Sequence, residues 1–206
     1  MPFRISDSIF DQAQLKPLTR QEIVKLSRGD VVALDLLVNS IEMDSPSQDD
    51  IKSPEVQKAV KAAISEEIEI GSSTYFVRLI KLFDLNNSFL ESEQIQDAGR
   101  KRIARELSAG LIDIAKIVAA ALKLDEFLSA PIAIAALKKH LLALLSEVKK
   151  PDDFPAVVKF IKESHLSLDT INLAVNETVL KLKQNGQAQD ADIITREYDS
   201  FRRNNL

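Results

Sequence analysis

Two histidines, His140 and His165, are the side chains best suited to carry protons near neutral pH. Neither follows a carboxylate by three residues, since Leu137 and Lys162 hold those positions. The Glu-x-x-His spacing that sets di-iron ligands on one helix face is therefore missing. The chain has no cysteine, which removes thiolate nucleophiles, disulfides and the common zinc sites. H-E-x-x-H, the nucleophile elbow G-x-S-x-G and the phosphate loop G-x-x-x-x-G-K do not occur. Glu66, Glu67 and Glu69 spread around a helix instead of converging, and read as a solvated acidic face. The expectation is a non-enzymatic protein with no catalytic residue, cofactor or metal.

The densest charge lies in GRKRIARELSAGLIDIAKIVAAAL, Gly99 to Leu122. Read as one helix, it places Ile103, Leu107, Leu111, Ile114, Val118 and Ala121 on one face. Lys101, Arg105, Lys116 and Lys123 fall opposite, with Arg102 nearby. A stripe of Lys101, Arg102, Arg105 and Lys116 could contact phosphates. Glu106 and Asp113 flank it, no aromatic is near for base stacking, and the net charge is −4. A solvated face with local ion pairs is the plainer reading.

These residues must be held by helices. The 206 residues are 45% hydrophobic and 28% charged, with five glycines and no tryptophan, a balance that favours helix over sheet. Thr19 and Glu22 form a capping-box signature with Leu18 and Ile23 as its staple. Ser53-Pro54, Ser88 with Glu91, Ala130-Pro131 and Ser167 mark further starts, and Gly29, Gly71 and Asn185-Gly186 mark ends. No segment alternates as a strand does. The fold class is all-α, a multi-helix bundle or irregular helical array of about eight or nine helices. Residues 1–18 read as an N-terminal arm and 19–206 as a single helical domain. An acidic loop at about 42–53 separates a first helical pair from the main bundle. Pro54, Pro131 and Pro155 open helices at unequal spacings, which reads as proline tolerance and not as a repeat.

The stretch from Leu111 to Leu145 is the most apolar. Leu111, Ile114, Val118, Ile134, Leu137, Leu141 and Leu144 are its expected core residues. The helix opening PIAIAAL is apolar all round and must be covered by its own chain or by a partner. The expected partner surface is Ile132, Ile134 and Leu137, while Tyr198 and Phe201 of the last helix can dock it on a partner or, as the plainer reading, on its own core. MPFRISDSIFDQAQ has no apolar leader segment, and the longest charge-free apolar stretch, Phe127 to Leu137, is interrupted by Pro131. These features predict a cytoplasmic helical interaction or structural module whose partner is another protein or a second copy. Two alternatives are a membrane-active protein that stores the Leu111–Leu145 hairpin, and a nucleic-acid or nucleocapsid-like binder using the basic stripe.

Overall fold

The computed structural model describes residues 18–28, 31–43, 46–71, 74–83, 85 and 87–205. The expected arm lies outside them apart from Leu18. The described residues form twelve α-helices and no strand. The all-α class holds, and the expected count of eight or nine is too low. The helices gather into two compact units, one ending at Phe89 and one starting at Leu90. The acidic stretch at 42–53 lies inside the first unit, because helices on both sides of it pack together.

In the first unit, helix α1 (Arg20–Ser27) packs on α2 (Val31–Met43) and on α4 (Pro54–Glu69). Helix α5 (Tyr75–Leu82) packs on α4 and on α2, and α3 (Gln48–Ile51) is a single turn. The result is two helical hairpins, stacked α1 on α4 and α2 on α5. The capping box at α1 is formed: the Glu22 amide donates to Thr19 Oγ1, and the Thr19 amide donates to Glu22 Oε2 at 2.8 Å. The bond from the Thr19 amide, with that from its hydroxyl, holds the Glu22 carboxyl below its ordinary pKa. Ser53 caps α4 through the Val56 amide. Glu67 is 5% exposed, so the expected solvated acidic face does not include it.

In the second unit, α7 (Glu93–Ser108) pairs with α8 (Ile112–Leu122), α9 (Pro131–Glu147) with α10 (Phe154–Ser164), and α11 (Leu168–Gln184) with α12 (Ala188–Asn205). Helices α7, α9 and α11 lie side by side, and α10 packs on α12. A short helix, α6 (Asn87–Leu90), spans the unit boundary. The expected cap at Ser88 is not a helix start: α6 begins one residue earlier and Ser92 precedes α7.

The hairpins share one register. Gln57 Nε2 donates to the carbonyls of Ile51 and Phe83; 39 positions on, Gln96 Nε2 donates to those of Leu90 and Leu122. Every buried residue of α4 has a buried counterpart in α7 at the same offset, from Val56 and Ile95 to Ile68 and Leu107. At offsets of 37 to 39 the rows continue. Leu79, Val118, Val157 and Ile194 are all buried, as are Phe83, Leu122, Ile161 and Tyr198. The chain is thus built from repeated helical hairpins, each burying its apolar face on its neighbours within its unit. The expectation of no repeat is corrected. Pro54 and Pro131 stand at equivalent starts two hairpins apart, whereas Pro155 opens the second helix of a hairpin.

The basic segment is not one helix. The chain turns at Ala109–Leu111, where Gly110 has φ +77° and the Leu111 amide donates to the Glu106 carbonyl at 2.9 Å. This turn shifts the helical phase. Helix α8 buries Ile112, Ala115, Val118, Ala119 and Leu122, while Leu111 is 45% exposed. A Cβ on Gly110 would stand 2.3 Å from Nε2 of His140, whereas one on Gly186, also at positive φ, would meet nothing within 4 Å. Gly186→Ala should therefore cost about 1 kcal/mol for the left-handed backbone alone. Gly110→Ala should cost more, because the His140 ring packs 4.8 Å from Phe160 and must move. Equal losses in urea denaturation would show that the ring gives way freely.

Candidate functional site

In the second unit the first helices of the three hairpins stack continuously. Among the second helices α10 packs on α12, but α8 and α10 do not pack closely along one another. A cleft of about 370 Å³ opens there. Its walls are Leu107, Ile112, Leu128, Ile134, Leu137 and Leu166. Lys116, Ser129, Glu163, Ser164, His165, Ser167 and Thr170 complete its lining.

Local rules place each wall. The turn at Gly110 directs Ile112 and Lys116 along α8. A 3₁₀ segment, Asp125–Ser129, carries Leu128 and Ser129 from α8 to α9. Ile134 lies on the same side of α9 as buried Leu137, Leu141 and Leu145, yet it is 38% exposed because the cleft faces it. Helix α10 ends at His165 in the left-handed region, φ 51°. The Ser164 hydroxyl donates to the Ile161 carbonyl at 3.2 Å. Ser167 Oγ accepts from the Thr170 amide at 3.3 Å and caps α11. These two hydroxyls serve the helix ends and are not paired with an activating base.

The charges at the mouth are uneven. Glu163 has Lys159 Nζ at 3.9 Å. Lys116 and His165 are exposed and make no ion pair among the described residues. The same residues hold no cluster of three His, Cys, Asp or Glu able to bind a metal, and no helix long and apolar enough to cross a membrane.

Of the expected partner surface, Ile134 and Leu137 meet in the cleft. Ile132 stands on the other side of α9, 64% exposed. Tyr198 and Phe201 are buried, with ring centroids 6.3 Å apart. The Tyr198 hydroxyl donates to Asn172 Oδ1 at 2.8 Å, and burial pushes its pKa up. These two rings fix α12 to its own unit. Of the expected core, Val118, Leu137 and Leu141 are buried, and Ile114 and Leu144 are half-buried. Leu111 and Ile134 are exposed, the first through the turn and the second through the cleft.

The basic stripe does not assemble. Arg102 is 1% exposed, with Nε 2.5 Å from Glu106 Oε1. Arg105 Nε lies 3.6 Å from the same oxygen, and Lys101 pairs with Asp97 at 2.7 Å. Lys116 belongs to the next helix and reaches the cleft. Sequence reasoning did not single out Leu128, Glu163 or Leu166, and gave His165 no role. No local signal marks them, because helix packing alone brings them together. Comparison with protein-family models, with curated proteins and with solved structures finds no match.

Proposed function

We propose that this chain is a non-enzymatic helical-hairpin protein that binds a partner protein through the cleft between α7–α8 and α9–α10. One observation carries the reading. Helices α8 and α10 do not pack closely along one another, and Ile134 stays open on the core-directed side of α9. An apolar recess ringed by a few polar groups is the usual form of a binding site. Repeat proteins characteristically bind through surfaces built by several adjacent hairpins. The alternatives have less support. The phosphate-binding stripe loses Arg102 to the interior, and Leu111 to Leu145 is divided between α8, a 3₁₀ segment and α9, neither helix being long and apolar enough to cross a membrane.

Ile134→Glu tests this directly, with Ile132→Glu on the opposite side of the same helix as the control. Both positions are exposed enough for the variants to fold. Quantitative affinity capture from the source cells is expected to show Ile134→Glu losing its specific partners at least tenfold while Ile132→Glu keeps them. If both variants retain the same partners as the parent, the cleft is not the contact.

A further inference from the structure

We infer that the cleft selects an acidic segment of its partner, in which apolar anchor side chains are flanked by carboxylates. The inference rests on the proposed reading of the cleft as a partner site and adds the chemistry of the occupant. The apolar wall, from Leu107 and Ile112 to Ile134 and Leu137, requires apolar anchors. The volume of about 370 Å³ lies at the small end of the range for ligand pockets, about 300–1,000 Å³. It admits anchor side chains and leaves the backbone of the occupant at the mouth, as when a helix lays spaced anchors into a groove.

The mouth then sets the sign of the neighbouring charge. Among the described residues Glu163 is the only carboxylate lining the cleft, and Lys159 stands 3.9 Å from it. Lys116, from α8 on the facing wall, has no such partner among the described residues, and His165 adds a second nitrogen base on the α10 side. A carboxylate beside the anchor meets Lys116 as an opposite charge. A lysine there meets repulsion from Lys116, and the one carboxylate of the lining, Glu163, already has Lys159 beside it. Such rim charges act mainly on partner choice and encounter rate.

The test uses the full chain and three probes: the neutral dye N-phenyl-1-naphthylamine, and two synthetic helical peptides with the same leucine spacing. One peptide carries glutamates beside its leucines and the other lysines. The dye is expected to fluoresce on the parent and on Ile132→Glu, and not on Ile134→Glu. Leu128→Glu serves as the second blocking variant if Ile134→Glu does not fold. The acidic peptide is expected to displace the dye from the parent at least tenfold more effectively than the basic one at low salt, and Lys116→Glu should reverse that order. Dye uptake with no peptide preference, or with a preference that Lys116→Glu leaves unchanged, overturns the acidic segment and leaves the cleft as a site. No dye uptake by the parent overturns both.

Discussion

Removing the Glu106 carboxylate, as in Glu106→Ala, is expected to destabilise the protein by about 3–5 kcal/mol. The double replacement Arg102→Met with Glu106→Leu should instead stay close to the parent or exceed it. Arg102 is the largest side chain of the chain that is fully buried among the described residues, and its Nε lies 2.5 Å from Glu106 Oε1. Taking a guanidinium from water is costly, and a nearby carboxylate offsets that cost only while it is present. Glu106 is only 7% exposed, so its loss takes a buried carboxylate from the buried Arg102 guanidinium, whereas Arg105 is exposed to water. The hairpin register shows that the position does not itself demand charge. Its counterparts are Ala63, His140 and Thr178, while Glu106 corresponds to Glu67, Leu144 and Leu182. Met and Leu can fill the same space with apolar contacts. Urea denaturation of the full chain, followed by helicity and resolved for each unit, measures both variants. The ion-pair account fails if the single variant matches the parent, or if the double variant is as unstable as the single one.

How far the sequence reveals this molecule depends on the range of the interactions involved. Helix starts are set by a few adjacent residues, and Thr19 with Glu22, Ser53, Pro131 and Ser167 are therefore legible. Helix α10 has the bounds, Phe154 to Ser164, that its flanking prolines and polar residues suggest. The turn at Gly110 is less legible. Ala109 and Leu111 favour helix, a lone glycine is tolerated within one, and reading through it puts Leu111 on the buried face and leaves Ile112 and Ala115 off it. That phase error accounts for the misplaced Leu111 and for grouping Lys116, which belongs to the next helix, with Lys101 and Arg105, whereas Arg102 leaves the stripe because α7 itself buries it. The repeat is hidden for a different reason. Its rows keep burial and not residue type, as Phe83, Leu122, Ile161 and Tyr198 show, and only Gln57 and Gln96 keep both identity and bonding. The cleft is beyond local reading altogether. It arises because α8 and α10 stand apart, a property of packing between elements far apart in sequence.

The shared register makes its own prediction about stability. Ile103, Leu141 and Val179 occupy one row of the first helices of the second unit. The first two are 0% exposed, whereas Val179 is half-buried. The next row repeats the contrast: Leu107 and Leu145 are buried, but its last member is Lys183, which is exposed. Helices α7 and α9 each carry a following first helix on this flank, and α11 carries none among the described residues. Substitution along one row should therefore separate burial by stacking from burial within a hairpin. Ile103→Ala and Leu141→Ala are each expected to cost about 2–5 kcal/mol, through lost transfer energy and the cavity left behind. Val179→Ala should cost about 1 kcal/mol or less, because fewer methyl groups leave a surface already partly wet. Denaturant midpoints for the three variants, compared at unchanged slope, give these differences. A Val179→Ala loss as large as that of Leu141→Ala would mean that the outer flank of α11 is covered in solution. It would then be a second contact surface of the array and not its free edge.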